Sequence, residues 1–220
     1  MLSACGSQPT TAAPVSEAAA TDTAALTTDE LDDALLPADA LGADATVVGL
    51  SLEQLGELPD LVGLPEDTTV EPALCGAALA MLTGGNTGHR AGAMPTVVAQ
   101  GAFDQDVRTL QVLADGPELD GLQLPVDQLL AGCSTVTVTG AEGTATTVAL
   151  TALDVPELGD AAAGLQVTVT RGDTALPALV GVVADGSRAV LLAQAWAAGA
   201  APDQAAFTEL LTQAADAASD

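Results

Sequence analysis

Tyrosine and lysine are absent from this 220-residue chain, tryptophan and histidine occur once each, and phenylalanine twice. Aromatic platforms for stacking bases or sugar rings are therefore nearly missing. Four arginines stand against thirty Asp and Glu, a formal net charge of −26. Such a chain repels polyanions, which excludes nucleic acid as a natural partner, and it gains nothing by charge from an anionic membrane surface. The acidity itself reads as a solubility device. No run of about 18 apolar residues occurs, so no spanning helix is expected. The nearest candidate, 189–201, is interrupted by Gln194 and Gly199.

The chemistry of sites is equally thin. A Ser-His-Asp arrangement would have to use His89, which sits in a Gly-rich loop beside Arg90, and no G-x-S-x-G occurs. A solvated loop histidine is the simpler reading. Thr83-Gly84-Gly85-Asn86-Thr87-Gly88 lacks the Lys-Ser/Thr ending of a phosphate loop and follows a helical segment instead of opening one. With thirty acids, carboxylate pairs arise by chance, so a glycoside-hydrolase reading has no support. Asp104–Asp106 is a two-carboxylate fragment of no complete calcium loop, and CxxC spacing is absent. The expectation is a protein that is not an enzyme, with no catalytic residues, no metal and no cofactor; a hydrolase is the weakest alternative. Arg171-Gly172-Asp173 spells an adhesion tripeptide but is good hairpin chemistry between two strands.

About half of the residues are apolar, mostly Leu, Val and Ala, in a chain long enough for one domain with a real core plus a tail. The three cysteines are Cys5, Cys75 and Cys133. Leu2-Ser3-Ala4-Cys5 fits a bacterial lipobox, in which small residues precede the cysteine that becomes the lipidated N-terminus. The Ser/Thr/Pro/Ala stretch after it reads as a flexible tether. A working export signal carries a basic and an apolar region before the cysteine. Only four residues precede Cys5, so it is read as a lipobox remnant. Lipid attachment at Cys5 implies an oxidising compartment, and setting Cys5 aside leaves an even number of cysteines. A Cys75–Cys133 bridge would close a loop worth about 4 kcal/mol in the chain-entropy model; two buried free thiols are the alternative.

Residues 1–27 are expected as lipobox remnant and linker, and 28–220 as the folded domain. Thr28-Asp29-Glu30-Leu31 fits a capped helix start stopped by Pro37. A strand is expected at 46–48, a helical turn at 52–55, and a helix over 72–82 with Pro72 in its first turn. The period then changes to two, with strands at 96–103 and 107–114. A helix at 125–131 capped by Gly132 precedes strands at 135–139, 146–153, 165–170, 176–183 and 189–196. A helix over 203–218, with Phe207, Leu210, Leu211 and Ala214 in its stripe, should lie across the sheet. Short turns between successive strands imply antiparallel neighbours, so the fold class is α+β, mostly antiparallel sheet packed against helices.

Several short motifs in this order carry a resemblance. They are Leu35-Leu36-Pro37-Ala38, a cysteine in an early helix (Cys75), Leu130-Ala131-Gly132-Cys133 leading into a strand, Leu158-Gly159-Asp160 before a long strand, and the Arg171-Gly172-Asp173 turn. Over about residues 30–218 the chain resembles the actinobacterial exported lipoproteins and sensor-like domains of the PknH extracellular type. The resemblance implies an antiparallel sheet with helices, a cleft, and ligand sensing or carrying rather than catalysis. Kinase-linked members carry two disulfides, whereas this chain can form one. The functional expectation is a lipid-anchored, extracytoplasmic, non-catalytic sensor-like or ligand-binding domain at the outer face of the cell membrane. Its partner would be a small or apolar ligand or an envelope protein, and a pocket lined by Leu, Val and Ala would favour an apolar ligand. The alternative is a structural or protein-interaction lipoprotein of the cell envelope.

Overall fold

Alternating β-branched and polar residues, punctuated by Gly-containing turns, build nine strands into one sheet. The structure is a computed structural model that describes residues 26–51, 54, 68–76, 95–124, 126–140 and 143–219. The strands are β1 Thr46–Leu50, β2 Thr69–Glu71, β3 Thr96–Phe103, β4 Val107–Asp115, β5 Thr135–Thr139, β6 Ala145–Leu153, β7 Ala161–Arg171, β8 Thr174–Asp185 and β9 Arg188–Trp196. Their order across the sheet is β1-β3-β4-β9-β8-β7-β6-β5-β2. Every neighbouring pair is antiparallel. Helices α1 (Thr28–Asp33), α2 (Val126–Cys133) and α3 (Gln204–Ser219) are added, with 3-10 turns at Ala73–Cys75 and Pro117–Leu119. The expected α+β class, mostly antiparallel sheet with helices, is what the structure has.

Two cores form on opposite faces of this one sheet. On the first face, α1 and α3 cover β3, β4, β9 and β8, burying Leu31, Leu36, Leu113, Leu179, Leu192, Phe207 and Leu211. Each such side chain contributes about 1.5–3 kcal/mol through burial. At Gly181 on β8, an added Cβ would lie 2.6 Å from a Leu211 methyl, so the absence of a side chain there sets how closely α3 approaches. On the second face, α2 and the 3-10 turn at Ala73–Cys75 cover β5–β7, burying Val136, Val138, Val148, Leu150, Leu165 and Val167. Cys75 and Cys133 are bonded in this second core, with Cα atoms 5.7 Å apart.

Strand β5, Thr-Val-Thr-Val-Thr, shows the pattern in miniature. Val136 and Val138 enter the second core, while its threonines face the other way, with Thr135 exposed and Thr137 and Thr139 half-buried. Strand β4 instead turns Thr109, Gln111, Leu113 and Asp115, all buried, toward the first core, and Arg108, Leu110, Val112 and Ala114 to the other face.

Several expectations need correction. The cap of α1 is Thr27, one residue before the expected start, in a reciprocal capping box with Glu30. Pro72 precedes a 3-10 turn from an extended conformation and does not sit in the first turn of a helix; residues 77–82 lie outside the described residues. Gly132 does not cap α2, which runs through it to Cys133. Leu74 packs against Gly132, and the Cys75 sulfur lies 3.5 Å from the Gly132 carbonyl. Strand β2 was not expected: three residues are too few for periodicity to register. The expected strand at 46–48 extends to Leu50, and of the helical turn at 52–55 only Gln54 is described.

Candidate functional site

The motifs singled out in the sequence turn out to hold the fold together. Leu36 is buried, and its peptide is gripped on both sides. Its N–H donates to Gln111 Oε1 at 3.0 Å, and its carbonyl accepts from Gln100 Nε2 at 2.8 Å. Gln100 Nε2 also donates to Gln111 Oε1 at 2.8 Å, joining two residues that face each other across β3 and β4. The two glutamines satisfy a backbone that no strand reaches.

Leu158-Gly159-Asp160 is a pin. Gly159 adopts φ +53°, where an added Cβ would fall 2.5 Å from the Ala184 carbonyl oxygen. Asp160 donates its N–H to that carbonyl at 2.8 Å and accepts the Gly186 N–H on its carboxylate at 2.9 Å. Arg171-Gly172-Asp173 is the exposed β7–β8 hairpin turn, with Gly172 at φ +58° and the Arg171 Nε donating to Thr146 Oγ1 at 3.3 Å. Asp104 and Asp106 are exposed in the β3–β4 turn. Among the described residues no group of three His, Cys, Asp or Glu is placed to hold a metal. Cys5, His89, Arg90 and the loop at 83–88 lie outside the described residues.

Two cavities bear on ligand binding. One of about 50 Å³ lies at the C-terminal end of α3, between Arg188, Asp185 and Asp216. Arg188 is spent there as a cap, since its guanidinium donates to the Ala218 carbonyl. The other, about 280 Å³, is an open groove between the start of α2 and the β6–β7 connection, with Asp127 and Asp154 on its rim. This larger groove has the expected lining of Leu, Val and Ala, from Leu124, Val126, Leu153, Val155, Ala162 and Ala163, and is open to solvent.

Such a lining also exists elsewhere, as an open surface. On the second face, the register places Val48 and Leu50 of β1 beside Val97, Ala99 and Phe103 of β3, then Leu110, Val112 and Ala114 of β4. Leu191, Ala193 and Ala195 of β9 and Val182 of β8 complete it, while Val180 of β8 packs against the second core at its border. This is the half of the face that α2 and the disulfide do not reach; among the described residues no helix packs on it. Ala99 is buried and most of its other side chains are half-buried, while Val48, Phe103 and Leu176 at one end are exposed by 39%, 40% and 45%. At α-carbon spacings of about 4.8 Å between strands and 3.4 Å along them, four strands by five residues span about 14 Å each way. The surface is continuous and apolar, roughly 200 Å² in outline, at the small end of the patches that mark binding sites. Period-two alternation did not reveal it, because alternation gives which residues share a face and not which face a helix covers.

No protein-family profile matches the chain, and no curated protein does. Solved structures do. The extracellular domain of PknH from Mycobacterium tuberculosis is 14% identical with a TM-score of 0.54, over 89% of this chain and 98% of that one. An uncharacterised protein from Mycobacterium smegmatis, the Rv0999 ortholog, is 19% identical with a TM-score of 0.53, over 87% and 94%. At these identities the likeness is one of fold: the chain shares the fold of the PknH extracellular domain.

Proposed function

We propose that this chain is an extracytoplasmic, non-catalytic sensor-like domain that takes an apolar ligand on the open half of its second sheet face. The observation that carries the reading is that continuous Leu/Val/Ala surface on β8, β9, β4, β3 and β1, left without a helical cover among the described residues. Its fold is shared with an extracellular domain, its cysteines are bonded as an oxidising compartment allows, and no helix among the described residues is long and apolar enough to cross a membrane. Attachment to the membrane is through lipid on Cys5.

Methyl-labelled NMR tests the ligand reading. Addition of sub-micellar alkyl probes should shift the Leu110, Val112 and Leu191 methyls and leave those of Leu31 and Leu211, in the opposite core, in place. Shifts spread over both faces, or none, would remove the site. Mass spectrometry of the unreduced protein from its host tests the anchor: a diacylglyceryl mass on Cys5 is expected, and an unmodified N-terminus upstream of Cys5 would refute it.

A second reading rests on the exposed end of the same surface, where Val48, Phe103 and Leu176 stand out. There the partner would be an envelope protein and the domain a structural lipoprotein. Crosslinking from Phe103 in the native envelope separates the two: one discrete protein adduct favours the second reading.

A further inference from the structure

Resting on the ligand-binding reading above, the geometry points to a ligand class: a single-chain anionic amphiphile whose head is held by Arg108 and whose tail lies along the apolar surface. Arg108 is on β4, in line with Leu110, Val112 and Ala114 on the same face, between Phe103 of β3 and Ala195 of β9. It is exposed. Reading the register across β1, β3, β4, β9 and β8, Arg108 is the only ionisable residue that this face carries on those five strands.

That placement is unusual for this composition. Acids outnumber arginines thirty to four, yet the one charge on the surface is positive, and it stands at the end where the apolar side chains are most exposed. Of the other two arginines among the described residues, Arg188 caps α3 and Arg171 bonds Thr146 at the hairpin, whereas Arg108 makes no ion pair and no hydrogen bond with any described side chain. A guanidinium matches a carboxylate in a two-pronged geometry, and its weak hydration suits an apolar border. The net charge of −26 repels an anion at long range. At physiological ionic strength the screening length is about 8 Å, so remote acids are damped and the charges that count are Arg108 and the exposed Asp104 and Asp106 of the turn beside it, over which a two-pronged contact with Arg108 has to prevail.

Calorimetric titration of the full chain with sub-micellar decanoate and with the neutral decyl glucoside, in parallel with the methyl shifts, tests this. Decanoate should bind more tightly at Leu110, Val112 and Leu191. Arg108→Gln should weaken decanoate by about fivefold, the upper range for a solvent-facing ion pair, and leave the glucoside unchanged. Arg108→Lys should retain most of the preference. An unchanged Trp196 unfolding curve shows that each variant is folded. If both probes shift these methyls equally and Arg108→Gln alters neither, the anionic head is refuted while the apolar site stands. If no probe shifts them, the site and the ligand class fall together.

Discussion

The carboxylate of Asp115, at the end of β4, accepts the backbone N–H of Leu26 at 2.6 Å across 89 residues of chain. The same carboxylate accepts the Ser187 hydroxyl at 2.6 Å from the β8–β9 turn. It is 2% exposed and stitches the first described residue of the chain to the sheet. With Leu36 gripped ten residues later by Gln100 and Gln111, the segment entering the domain is fixed at two points.

Asp115→Ala removes a charged acceptor and leaves two donors bare, so it should cost about 3 kcal/mol. Asp104→Ala, at an exposed turn, should stay within about 0.5 kcal/mol. Urea unfolding followed by Trp196, the one tryptophan, measures both. Equal losses would deny Asp115 its role.

Gly159 and Gly172 share a left-handed backbone, at φ +53° and +58°, but not a neighbourhood. A Cβ at Gly172 meets nothing within 4 Å, so Gly172→Ala should cost only the conformational penalty of about 1–2 kcal/mol. Gly159→Ala adds a clash with the Ala184 carbonyl and should cost more, about 3–4 kcal/mol in total. The difference between their urea midpoints isolates the close approach.

The disulfide ties the turn after β2 to the end of α2, 58 residues apart in sequence, and both sulfurs are buried. A Cys75→Ala/Cys133→Ala double variant should lose about 4 kcal/mol. The loss should fall first on the second core, so hydrogen exchange should accelerate at Val136 and Val148 before Leu113 and Leu192. Uniform acceleration would show that the two cores unfold as one.

The Glu30 carboxyl is held below its ordinary value of 4.5 by the Thr27 backbone N–H and then by the Thr27 hydroxyl. Its folded value is depressed, so its contribution to stability is present above 4.5 and lost as pH falls through the folded value. Glu30→Gln should therefore be less stable than the parent at neutral pH and indistinguishable from it in strong acid. A gap that persists in acid would mean that the charge plays no part.

Local order was largely legible beforehand. Eight of the nine strands were expected from alternation and turn chemistry, and α3 from its stripe of Phe207, Leu210, Leu211 and Ala214, because most of these signals repeat over several periods or end at a turn glycine. Strand β2 was not, since its three residues carry less than two full periods. The capping box at Thr27 was one residue away from the expected start, because Thr27 and Thr28 offer the same hydroxyl and only the position of Glu30 relative to the cap distinguishes them.

The candidate site was not legible, and the reason is physical. A residue's parity along a strand says which neighbours share its face, but not which face a helix covers. Val112 and Leu113 read alike in the sequence; the fold places Leu113 beneath α1 and α3 and Val112 on the open surface. By itself the amino-acid order determined the strands, the pairing-competent cysteines, the anionic character and the poverty of catalytic groups, all properties of short stretches or of simple counts. Only the tertiary structure decided that Gln100 and Gln111 meet at Leu36, that Asp115 holds Leu26, and that Arg108 stands alone on an apolar face. Each of those depends on register across strands far apart in the chain, and register is set by the packing of whole faces.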